Sequence, residues 1–375
     1  MRIGSGFALA GLAALAVAMG IGRFAFTPVL PMMQQDAGLS VAAGGWLATA
    51  NYVGYLAGAL WAGAMRVNAA AAIRIGLAVI GLATLAMALD AGFAAWAVLR
   101  FIAGVASAWV LIQTSALALE RLTPLGRPIL AGVLFAGVGT GIIVAGGLCV
   151  ILMTMRAGSS SAWLLLGIAS LAITSLLWPV FQSSNVNKTA PSAAHRWTWE
   201  QARLVLAYGA YGFGYIIPAT FLPVMAREVV SDPAVFGWAW PVFGAAAVLS
   251  TLGVARYSGR DGNRAAWVGS QLAMALGVAA PVFWPGIGGI VLAALCVGST
   301  FVVITMVGLQ EARTVAGSQG SAARLMAAMT AAFAAGQIAG PLSVSFLVGA
   351  GGGFSAVLLA ACAVLVAGAV LLVRR

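Results

Sequence analysis

The chain has 375 residues, of which 62% are apolar and only 7% charged, and its mean hydropathy is +1.05. A soluble domain carries roughly 25% charged residues, so this composition excludes a water-soluble enzyme. It also excludes a disordered chain, which needs low hydrophobicity and high charge. The balance of 19 basic against 8 acidic residues gives a net charge of +11, but the basic residues recur in pairs and triples rather than on one segment. That pattern argues against nucleic acid and for loops on one side of a membrane.

In chain order, apolar runs of helical length appear at about 7–33, 40–64, 71–89, 92–119, 128–155 and 161–182, then at about 201–226, 234–257, 265–283, 285–310, 325–348 and 353–373. They are too long and too continuously apolar for the alternating strands of a barrel, so the expectation is twelve membrane-spanning helices. The first run exceeds the apolar region of a signal peptide and contains Arg23, so it reads as a retained span. With the N-terminus placed inside, fifteen of the nineteen basic residues fall in cytoplasmic segments, only Arg156 and Arg227 fall outside, and Arg23 and Arg100 lie within spans. This bias predicts a multi-pass protein of the inner (plasma) membrane with both termini cytoplasmic.

The one sizeable polar stretch lies between the sixth and seventh runs. It predicts three parts: a six-helix bundle over 1–183, a cytoplasmic linker over 184–200 and a second six-helix bundle over 201–375. The halves also echo one another. GIGRFAFTPVLPMM (20–33) and GAYGFGYIIPATFLPVM (209–225) both run from Gly through aromatics to two prolines. FAGVGTG (135–141) and FAAGQIAGP (333–341) hold corresponding places in the fifth and eleventh spans. Gly- and Pro-interrupted segments at matching positions of two halves mark a repeat-built secondary transporter.

This plan resembles the major facilitator superfamily. Arg100 and Gly104 in the fourth span resemble its R-x-x-x-G motif, and the glycines of the fifth span its Gly-rich helix, without the Gly-Pro of the antiporter version. GIGRFAFTPVLPMM, GWLATANYVGYLAGAL (45–60) and AGQIAGPL (335–342) are similar to the YbfB/YjiJ-type branch. The resemblance implies an all-α fold of two six-helix bundles working by alternating access, with spans one, four and seven lining a central cavity.

Arg23 and Arg100 each sit about eight residues, or ~12 Å, from the outer end of their span. An arginine inside a span is costly and normally faces a cavity or a partner. All eight carboxylates map to loops or span ends, so neither arginine has an acid at its own depth. Two readings stand for each: a structural donor to backbone carbonyls, or a ligand for an anionic solute, whose carboxylate or phosphate suits the guanidinium fork. Asn51 and Tyr55 share a face at i, i+4. Tyr208, Tyr211 and Tyr215 form a stripe on span seven, and Gln337 stands between Gly336 and Gly340. Each is either a pocket-lining residue or an interhelical hydrogen-bonding group. Trp46, Trp163, Trp238 and Trp284 are expected at the outer interface. Cys149, Cys296 and Cys362 are isolated, and the single histidine, His195, lies in the linker, so neither a metal, a cofactor nor a disulfide framework is expected.

The candidate substrate-binding set is therefore Arg23, Arg100, Asn51, Tyr55, Tyr211, Tyr215 and Gln337. The expected function is secondary or facilitated transport of a small anionic organic solute by a monomer in the lipid bilayer. Efflux of drug-like compounds is the alternative, and a non-transporting receptor or scaffold a further one. No buried constellation supports an enzyme.

Overall fold

The computed structural model describes residues 2–64, 68–181, 197–229, 238–257, 262–316, 319–349 and 354–373, and these are almost entirely helical. In hydrocarbon no water is present to pair with backbone N–H and C=O groups, so the apolar runs satisfy them internally as helices. The first run is a single rod of three pieces: α1 (Arg2–Leu15), a π-helical segment (Ala16–Phe24) and α2 (Phe26–Asp36). The rest of the first half comprises α3 (Val41–Ala64), α4 (Ala69–Ala86), α5 (Gly92–Leu122), α6 (Ile129–Thr154) and α7 (Ser159–Leu177). The second half comprises α8 (Trp199–Val229), α9 (Ala239–Tyr257), α10 (Asn263–Phe283), α11 (Ile287–Ala316), α12 (Gln319–Gly349) and α13 (Phe354–Val373). Twelve rods result. Among the described residues, nine helical stretches are long and apolar enough to cross a membrane, while α9 contributes a shorter apolar helix, Trp240–Arg256. Most of the expected 184–200 linker lies outside the described residues.

The turns are closed by local chemistry. Asn68 caps α4 by accepting from the Ala70 N–H at 2.8 Å. Gly126, at φ 61°, makes the left-handed turn before α6 that a side chain would resist. Asp36, at the end of α2, accepts from the backbone N–H of Ser159 and, at 2.9 Å, from its hydroxyl. It thus places a carboxylate on the N-terminus of α7, where the helix dipole favours it.

Helices of each half pack mainly on one another: α3 and α4 on α5, α4 on α7 and α1 on α6, then α12 and α13 on α8, and α10 and α9 on α11. The halves meet along α6 against α9 and α3 against α12. Glycine makes the closest approaches possible. A Cβ at Gly20 would strike the backbone of Gly141, and one at Gly336 would strike the Gly209 carbonyl. The rod pairs involved, first with α6 and α8 with α12, are the ones whose sequences echo across the halves. Large side chains such as Leu60, Leu82, Leu176 and Phe283 are exposed on the outside, as suits a lipid-facing girdle.

Trp46, Trp238 and Trp284 are exposed, as an interfacial belt requires. Trp163 is buried and stacks on Phe26 at 6.4 Å.

Ion pairs among the described residues gather at the end of the bundles where the chain terminates. Arg264 of α10 bridges Glu200 of α8 and Glu311 of α11, the latter at 2.9 Å, while Arg203 pairs with Glu200 at 3.0 Å and donates to the Leu371 carbonyl at 2.7 Å. Glu311 thus takes as its partner Arg264, at the start of the preceding helix.

Candidate functional site

The site begins with an irregularity in the first rod. Over Ala16–Phe24 the backbone widens to a π-helix, and Pro28 supplies no N–H to the turn before it. Within this segment the carbonyls of Gly22 and Arg23 accept from side chains of neighbouring helices. Arg100 of α5 takes both: Nη1 donates to the Gly22 oxygen at 3.2 Å and Nη2 to the Arg23 oxygen at 3.1 Å. Asn51 of α3 completes the knot, its Nδ2 donating to the Arg100 oxygen at 2.9 Å and the Gly22 oxygen at 3.4 Å.

Gly104 explains how these groups come within reach. A Cβ there would collide with the Asn51 carbonyl oxygen, and one at Gly54 with the Phe101 carbonyl. Only glycine lets α3 and α5 lie backbone to backbone, which carries the Arg100 guanidinium, one turn from Gly104, up to the first rod. Its Cζ lies 4.8 Å from the Phe26 ring centroid.

The widened turn turns Arg23 toward the seam between the halves. The residue is 3% exposed. Its guanidinium lies on the Tyr55 ring, Cζ 3.8 Å from the centroid, with Tyr52, Phe24 and Phe333 at 5.6–5.7 Å. Nη2 donates to Oε1 of Gln337 on α12, from the other half. Nε and Nη1 have no partner, and neither does Nε2 of Gln337, which is fully buried. Among the described residues neither Arg23 nor Arg100 pairs with a carboxylate.

Aromatic rings extend the site into the second half. Tyr215 stacks on Phe301 at 5.4 Å and 11°, and Phe243 on Phe301 at 5.1 Å. Phe24 meets Phe301 edge-on across the seam at 5.8 Å. Tyr211 lies 4.8 Å from Phe333, and its hydroxyl donates to the Phe301 carbonyl at 2.8 Å.

Seven residues were expected at the site. The structure puts Tyr55 and Gln337 both against Arg23 and sets Tyr211 and Tyr215 on the adjoining ring wall. It ties Arg100 and Asn51 to backbone carbonyls behind Arg23. Phe24, Phe301 and Phe333 are additions to the expected set. Phe333 was findable, since it precedes Gln337 by four residues and so shares its helix face; Phe301 had no comparable signal in an apolar helix.

Comparison with solved structures gives the fold a clear relative. The human organic anion transporter MFSD10 (TETRAN), known from a crystal structure, superposes with a TM-score of 0.73 at 15% identity, covering 99% of both chains. At that identity the likeness concerns the fold. No curated protein matches the chain in sequence. A family does: residues 15–373 match the family described as uncharacterised MFS-type transporter YbfB. With nearly its whole length matched and twelve helical rods in the corresponding architecture, the chain belongs to this family of the major facilitator superfamily.

Proposed function

We propose that this protein carries a small organic anion across the inner membrane by alternating access, with Arg23 binding the anionic group. The halves 1–183 and 201–375, joined by 184–200 on the cytoplasmic side, rock about the seam where Arg23 meets Gln337. The observation that carries the reading is a buried guanidinium at that seam with two nitrogens unpartnered and, among the described residues, no acid paired with it. A charge so placed is expensive in hydrocarbon unless a partner answers it. Rings lower the cost through cation–π attraction, yet they leave the N–H donors unmet, and a carboxylate meets both needs.

Arg100 and Asn51 act in this reading as positioning residues, because their donors already hold the carbonyls of the widened turn. Tyr55 and Gln337 contact the anion's binding group, while Tyr211 and Tyr215 contribute wall. Efflux of neutral drug-like compounds would leave the Arg23 donors without a purpose. The test is a thermal-shift screen of the purified protein against carboxylates, phosphates and neutral compounds, repeated with Arg23→Ala. Stabilisation by an anion that is lost in the variant supports the reading; stabilisation by neutral or cationic compounds alone overturns it.

A further inference from the structure

The surroundings of Arg23 also restrict what the anion is attached to. Resting on the anion reading above, we infer that the substrate is a monoanion with a flat aromatic body, of the aryl monocarboxylate class.

Charge fixes the first part. Two arginines meet at this knot, and both terminal nitrogens of Arg100 are bonded to the Gly22 and Arg23 carbonyls. Of the two, Arg23 alone keeps an unpartnered terminal nitrogen, Nη1, beside its Nε, while Arg100 keeps only a buried Nε. A single negative charge neutralises Arg23; a dianion brings a second charge into a low-dielectric seam with nothing to answer it. Donor count agrees. The unpartnered Arg23 nitrogens and the buried, unpartnered Nε2 of Gln337 offer N–H groups from both halves, enough for the two oxygens of one carboxylate.

Shape fixes the second part. Beyond the guanidinium, the near-parallel faces of Tyr215, Phe301, Phe243 and Trp240 form a ladder. Successive centroids are 5.4, 5.1 and 5.2 Å apart, with interplanar angles of 11°, 28° and 2°. Phe24 joins this ladder to Arg23. The Tyr211 hydroxyl, which could have served a polar substrate, is occupied by the Phe301 carbonyl. A flat ring entering between such faces exchanges one stacked contact for two of the same kind. A saturated ring of equal length is thicker, lacks the π face and separates the walls. Aromatic pairing beyond area burial amounts to about two- to tenfold in affinity.

The matched probes are benzoate and cyclohexanecarboxylate, with benzamide as the neutral aromatic and terephthalate as the dianion, titrated against full-length protein by calorimetry. Benzoate is expected to bind about two- to tenfold more tightly than cyclohexanecarboxylate, and benzamide and terephthalate at least tenfold more weakly than benzoate. Phe301→Leu, with Tyr215→Leu as a second variant, should bring the benzoate-to-cyclohexanecarboxylate ratio close to one; a ratio unchanged in both variants overturns the assignment of the ladder. Equal or tighter binding of cyclohexanecarboxylate by the unaltered protein overturns the aromatic class while the anion reading stands. Terephthalate binding as well as benzoate overturns the monoanion. Binding of benzamide but of no carboxylate overturns the anion reading itself, and binding of none of the four probes overturns the aryl class.

Discussion

Arg100 donates to the backbone oxygen of Arg23 at 3.1 Å. The two arginines are therefore joined through a carbonyl, and they do different work. Arg100 holds the π-helical turn from behind, and that turn presents Arg23 to the seam.

Arg100→Ala takes the side-chain donor from the Arg23 carbonyl and leaves the Gly22 carbonyl with only the longer Asn51 contact at 3.4 Å. Each unmet group costs about 1–3 kcal/mol, so the variant should melt clearly lower than the unaltered protein. Anion affinity should fall too, because the turn carrying Arg23 loses its anchor. An Arg100→Ala protein with unchanged melting temperature would show that the knot does not hold the turn.

Arg23→Ala is expected to behave in the opposite way. Charge-assisted hydrogen bonds contribute roughly 1.5–3 kcal/mol, so affinity for the anion should drop about ten- to a hundredfold while the melting temperature without ligand stays close to that of the unaltered protein. Arg23→Lys should recover only part of the affinity, since an ammonium lacks the planar fork. A folded Arg23→Ala protein that binds as before would sink the ligand role.

Gly104→Ala places a methyl group against the Asn51 carbonyl and must push α3 from α5. Overpacking of this kind costs about 1–3 kcal/mol. Gly147→Ala is the control, because a Cβ there meets nothing within 4 Å. Thermal unfolding of the two variants side by side should show a loss for Gly104→Ala alone; equal melting would contradict the backbone-to-backbone packing.

Arg264→Ala removes the shared partner of Glu200 and Glu311. Glu311 is the more buried acid, with a side chain 9% exposed against 34% for Glu200. Breaking such a pair from one side is worse than removing both partners. Glu311→Gln added to Arg264→Ala should therefore recover part of the lost melting temperature. Further loss in the double variant would show that Glu311 does not depend on Arg264.

The sequence by itself determined the membrane class, the helical spans, the pairing of the halves and the two arginines with no acid at their depth. Those features follow from hydropathy, from periodic small residues and from the rarity of charge within a span, all of which are local. The Glu311–Arg264 pair, the inward turn of Trp163 and the division of labour between Arg23 and Arg100 were decided by tertiary structure. Both are arginines inside apolar helical runs, so no local rule separates them. What separates them is a π-helical turn that exposes two carbonyls to one, and a glycine contact between α3 and α5 that brings that one within reach. The ring wall is likewise built from Phe24, Phe301 and Phe333 on three helices far apart in the chain, with Phe24 and Phe333 beside the guanidinium and Phe301 reaching it through Phe24.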